Sequence, residues 1–84
     1  MGLKQKLPKW FDGTIYDAGD TVANPFSGEK IYLTATELSI YDLIKGAEMI
    51  AQMGGWNDEM IDIIQKGISW MRKNNPKVYM VLLD

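Results

Sequence analysis

Between residues 34 and 74 apolar side chains recur every three or four positions, whereas before residue 34 they come in short runs cut by Pro, Gly, Asn and Asp. The first pattern is that of amphipathic helices, the second that of short strands and turns. Ile40, Leu43, Ile44, Ala47, Ile50 and Ala51 fall on one side of a helix predicted over 34–53, and that side is its core face. Thr34 followed by Glu37 has capping-box spacing, with Thr36 a rival cap, and Gly54-Gly55 stops the helix. Leu38, Met49 and Met53 make a thinner ridge on the other side, interrupted by Asp42 and Lys45.

A second helix is predicted over 57–74, capped by Asn57 or Asp58. Asp58, Glu59 and Asp62 near its start and Lys66, Arg72 and Lys73 toward its end both suit the helix dipole. Asp62 and Lys66 have the favourable acid-first spacing for an ion pair along one face. Met60, Ile61, Ile63, Ile64, Gly67, Ile68, Trp70 and Met71 cover about half the circumference, more than one neighbouring helix covers. Residues 78–83 are apolar without a break, which periodicity alone cannot assign. Asn75-Pro76 is a cap followed by the residue favoured at the first helical position, so a short C-terminal helix is predicted over 76–83, with a buried strand as the alternative. In either form this end must be inserted into the core or covered by another copy of the chain.

Residues 10–33 divide into short β-favouring runs at Thr14–Tyr16, Thr21-Val22 and Lys30–Leu33, separated by turn residues at 12–13, 17–20 and 24–28. Strands this short are marginal alone, so a hairpin or three-strand meander packed on the helices is expected, with Phe26 tucked against them. The fold class is therefore mainly α (α+β). It has two longer helices, a short C-terminal helix and a small N-terminal β-hairpin or meander, in a single domain led by a basic tail at residues 1–9.

Composition narrows the chemistry. The 84 residues include no cysteine and no histidine, which removes disulfides, thiolate zinc sites, the cysteine nucleophile and the commonest general base. A small domain without disulfides points to a reducing interior. No basic-then-apolar leader opens the chain, and no apolar run approaches the roughly 20 residues that span a bilayer, so no membrane partner is expected. The net charge of −2 hides a partition: residues 1–10 carry +3, residues 11–62 carry ten acids against two lysines (−8), and residues 63–84 carry +3. An acidic middle between basic ends is able to pair with them, within or between chains, although a solvated surface is the ordinary explanation. A general nucleic-acid binder is basic overall, and this chain is not, so nucleic acid is not an expected partner.

No constellation of residues points to catalysis, a metal or a cofactor. Asp12, Asp17, Asp20 and Glu29 form a loose carboxylate group on loops, but their spacing is not that of a calcium loop, and turn-forming aspartates explain them. No two acids stand out as an acid–base pair. Residues 24–29 contain a lone glycine and no phosphate-loop signature, and Gly54-Gly55 is a helix stop. Lys4, Lys6, Lys9, Trp10 and Phe11 combine cations with aromatics, as single-strand binders do, yet a basic tail leading to two core aromatics is the simpler account. The apolar surplus instead marks a candidate interaction surface: Leu38, Met49, Met53, Trp56, Tyr79, Leu82 and Leu83.

Three stretches taken together carry a family likeness: LPKWFDG at residues 7–13, NPFSGEKIYLTATELSIYDLIKGAEM at 24–49 and WMRKNNPKVYMVLLD at 70–84. The chain resembles a small protein family of tailed bacteriophages, notably those of marine cyanobacteria. The likeness covers nearly the whole length and is weakest over residues 50–69. It brings no site residues with it. What it implies is context, a phage product made in the host cytoplasm. The expected function is non-enzymatic protein binding, to a host factor or to a second copy as a homodimer. The alternatives are a structural or assembly component of the virus particle and a nucleic-acid-associated accessory protein.

Overall fold

A computed structural model describes residues 7–11, 13–55 and 57–83. The basic-tail residues Lys4 and Lys6, the turn acid Asp12 and the candidate Trp56 lie outside the described residues.

Two antiparallel strands, β1 (Asp20–Ala23) and β2 (Lys30–Leu33), form a hairpin in which Val22 faces Ile31 and Asp20 faces Leu33. Alternation decides which side turns inward: Ile31 and Leu33 pack on the core while Lys30 and Tyr32 face solvent. The loop between the strands is organised by Asn24. Its Oδ1 accepts from the N–H groups of Phe26 (2.8 Å) and Ser27 (3.2 Å), and its Nδ2 donates to the Val81 carbonyl at 2.8 Å. The turn is thereby held to the C-terminal segment, and its tip is aimed away from the helices. Phe26 is 98% exposed there, against the expectation that it tucks inward. The expected third strand at Thr14–Tyr16 does not form either. The Tyr16 N–H instead donates to Ser39 Oγ at 3.0 Å, so a helix hydroxyl takes the place of a strand partner.

Helix α1 (Ala35–Gly54) starts as its capping box dictates: Thr34 Oγ1 accepts from the Glu37 N–H at 3.2 Å, and Glu37 Oε1 accepts from the Thr34 N–H at 2.9 Å. Gly55 follows it with φ of +88°, a backbone angle that disfavours any residue with a Cβ. Helix α2 (Asp58–Asn74) is capped by Asn57, whose Oδ1 accepts from the Met60 N–H at 2.9 Å. Asp58 is left free to act on the dipole. The ion pair between Asp62 and Lys66 forms at 2.8 Å on the solvent side.

Asn75 then makes the joint. Its N–H closes α2 on the Met71 carbonyl, and its Oδ1 accepts from the Val78 N–H to open α3 (Pro76–Val78). A π-helical turn, Tyr79–Leu83, continues from α3. The C-terminal run is therefore helical, and the strand alternative falls. It is also inserted rather than displayed: Val78, Val81 and Leu82 join Leu33, Ile40, Ile44 and Met71 in one core cluster. Among the described residues no helix is long and apolar enough to cross a membrane.

The interface between α1 and α2 is the largest between elements. Ile40, Ile44, Ala47 and Ala51 supply its α1 side, narrower than the face expected. Ile50 belongs to the expected core face but lies about 100° round the helix from Ala51, off the line that meets α2, and is exposed. Of the wide apolar face of α2 only Gly67 and Met71 are fully buried.

Candidate interaction surface

The structure splits the six candidate residues that it describes, Trp56 lying outside them. Leu82, only 7% exposed, is part of the core and is not available to a partner, because the π-helical turn rolls it under α1 and α2. Leu38, Tyr79 and Leu83 are half-buried and pack against the same core, with the Tyr79 ring 5.4 Å from the Arg72 guanidinium. Met49 and Met53 stay in solvent, 63% and 82% exposed. Leu82 is thus withdrawn from the surface expected at the C-terminus, Tyr79 and Leu83 are partly exposed there, and the most exposed of the candidates lie on α1.

Met49 and Met53 do not stand alone. Gly46, Met49, Ile50 and Met53 have the spacing that aligns residues along one helix face, and Ile50 is 56% exposed. This stripe borders a groove of about 360 Å³ between the second half of α1 and the first half of α2. Leu43, Ala47 and Ile50 line it from α1, Met60 and Ile63 from α2, and Gly13 with Thr14 closes one end. Its charged residues are both acids, Asp42 on one helix and Glu59 on the other, and neither makes an ion pair among the described residues.

The two interior helix glycines near this interface serve different purposes. A methyl group built at Gly67 runs into Ile44 Cγ1 and lies 2.8 Å from its Cδ1, so glycine there lets α1 and α2 approach closely. Gly67→Ala is expected to lower stability by about 1–3 kcal/mol through overpacking, despite alanine's better helix propensity. A methyl built at Gly46 meets nothing within 4 Å. Gly46→Ala is accordingly expected to raise stability by up to about 1 kcal/mol, read as an increase of several degrees in melting temperature for a domain of this size. A lower melting temperature for Gly46→Ala would mean that the space beside it is not open.

A larger hollow, about 440 Å³, runs along the polar side of α2 and brings Trp10 beside Trp70, Lys66, Lys73 and Asn74. Its lining is mixed in charge, with Asp62 already bound to Lys66, and both indoles pack against the core. Trp10 and Phe11 are half-buried and pack against the core. Among the described residues no group of three or more acids stands together where a metal ion could be held.

Of the groove-lining residues, sequence reasoning missed Gly46, Leu43, Met60 and Ile63, having placed the last three on core faces. The signal present was the excess width of the α2 apolar face, together with a glycine in mid-helix that no turn required. Comparison with known protein families, with curated proteins and with solved structures finds no match.

Proposed function

We propose that the chain is a non-enzymatic protein-binding domain whose docking site is the groove between α1 and α2, with the Met49–Ile50–Met53 stripe beside it, and whose occupant is a helical segment of a partner protein. One observation carries this reading: three large apolar side chains, Met49, Ile50 and Met53, stand in solvent at helical spacing on α1, and Ile50 also lines an open groove. Isolated exposed apolar residues need no explanation, whereas a contiguous set beside a concave surface marks an interaction site. An amphipathic helix is the ligand that such grooves accept most economically, through anchors spaced three and four residues apart. Methionine suits the task because its flexible thioether adapts to the partner's shape. Asp42 and Glu59 are exposed carboxylates on opposite rims, an arrangement for steering a charged partner rather than for positioning a proton.

The bacteriophage resemblance supplies the setting for this proposal, a domain working in the host cytoplasm on a host factor. Self-association is the second reading, and the α1 stripe is the surface that supports it best, since Leu82 is in the core. A component of the virus particle is the third. The test compares the protein with a Met49→Glu/Ile50→Glu/Met53→Glu variant in pulldowns from host lysate, in light scattering and in purified virions. The expected result is a defined host protein retained by the parent and lost by the variant, with both monomeric and equally folded. An identical set of captured proteins removes the stripe from consideration. A parent dimer that the variant lacks makes the partner a second copy.

A further inference from the structure

Resting on the protein-binding reading, we infer that the occupant of the groove is a cationic amphipathic helix that seats one large apolar side chain over Gly46 and sets lysines or arginines against Asp42 and Glu59. Three observations converge on it. The first is the contrast between the two helix glycines. Gly67 has its reason inside the molecule, the close crossing with Ile44, whereas Gly46 has none among the described residues, since a side chain there would meet none of them. A mid-helix glycine weakens the helix relative to alanine. At Gly46 that loss has no return within the chain. It does keep the groove open above Leu43, Ala47 and Ile50.

The second observation is size. The groove is open to solvent and offers about 360 Å³, room for a leucine, phenylalanine or tryptophan side chain. The partner helix therefore lies along the rims and inserts an anchor. Large buried anchors are where interface energy concentrates, with surrounding contacts serving to exclude water.

The third is charge. Among the described residues Asp42 and Glu59 are the ionisable groups that line the groove, one from each helix, and neither is neutralised there by an ion pair. The stretch that builds the groove belongs to the acidic middle of the chain, which carries −8 over residues 11–62. Such a field attracts a basic ligand and repels an acidic one. A second copy offers Lys66 and Lys73 on the polar side of α2, but Lys66 is already paired with Asp62, and the indoles beside them, Trp10 and Trp70, are half-buried against the core.

The test uses the full chain and fluorescein-labelled peptides of about four helical turns, each with a central tryptophan and leucines one turn to either side. Three versions differ only in their flanking residues, which are lysine, glutamine or glutamate, and fluorescence anisotropy reads their binding. The lysine peptide is expected to bind best, about tenfold or more ahead of the glutamate peptide at low salt, with the gap narrowing as salt is added. Gly46→Leu is expected to weaken it about tenfold or more while the melting temperature stays level or rises, because the added side chain fills the groove without touching the core. Asp42→Lys/Glu59→Lys is expected to reverse the preference toward the glutamate peptide. Equal binding of all three peptides, still lost on Gly46→Leu, overturns the cationic occupant and leaves the groove as a docking site. Binding that is indifferent to Gly46→Leu overturns the groove reading itself.

Discussion

Replacing Leu82 with aspartate is expected to unfold the protein. Leu82 lies in the core cluster with Val78 and Val81 from the C-terminal segment, Ile40 and Ile44 from α1, Met71 from α2 and Leu33 from β2. Losing a leucine from such a place costs about 2–5 kcal/mol through lost burial and residual cavity. The incoming carboxylate adds the penalty of an unpaired charge in an apolar site, unless it takes up a proton or pulls the segment out into water. A domain of this size has on the order of 5–10 kcal/mol to lose. Circular dichroism at room temperature is expected to show little cooperative structure for Leu82→Asp. Met80→Asp, two residues earlier on the same turn at a side chain 68% exposed, is expected to stay within about 0.5 kcal/mol of the parent. A Leu82→Asp protein that melts cooperatively near the parent temperature would return this residue to the surface and revive self-association through the C-terminus.

That contrast between neighbours also shows where sequence reasoning stops. An apolar run has no periodicity, so nothing in residues 78–83 distinguishes the side chain that enters the core from the one that leaves it. The wider π-helical turn then sets the pattern, with Val81 and Leu82 in and Met80 out. Where the determinants are local the chain was legible. Thr34 and Glu37 are three residues apart and form the capping box as read, Asn57 caps α2, and Gly55 follows α1 with positive φ. Asn24 and Pro25 announced a turn, but not that Asn24 Nδ2 would reach Val81, 57 residues away, and swing Phe26 outward.

The site was less legible than the fold for a related reason. A groove is formed by the sides of two helices that the core does not use, so it depends on their crossing geometry. Hydrophobic patterning assigned Leu43, Ile50, Met60 and Ile63 to core faces because it reports only that a residue is apolar and on the inward half. How far each stands from the line of contact follows from Gly67, which draws the helices together at Ile44. Met49 and Met53 were found in advance because they lie well away from that line.

The longest-range local motif carries the second large effect. Glu37 is 2% exposed, and its carboxylate is shared between two parts of the fold. Oε1 accepts from the Thr34 N–H as half of the α1 capping box, and Oε2 accepts from Asn75 Nδ2 at 2.8 Å, at the joint where α2 ends and α3 begins. Glu37→Ala removes both acceptors, that of the exposed Thr34 N–H and that of the half-buried Asn75 amide. The lost capping box is worth about 1 kcal/mol, and the Asn75 amide deprived of its acceptor about 1–3 kcal/mol. A total loss of about 2–4 kcal/mol is expected in urea titrations. Glu37→Gln keeps the shape but turns an amide donor toward one of those donors, so an intermediate loss of about 1–2 kcal/mol is expected. A purely local cap would give the same loss whether or not Asn75 is present. A bridge makes the two positions non-additive, and the double-mutant cycle of Glu37→Ala with Asn75→Ala is expected to return a coupling of about 1 kcal/mol or more. Additivity within about 0.5 kcal/mol would reduce Glu37 to a cap. The register of the C-terminal segment would then rest on apolar packing and on the Asn24 bond to the Val81 carbonyl, and the insertion of Leu82 with it.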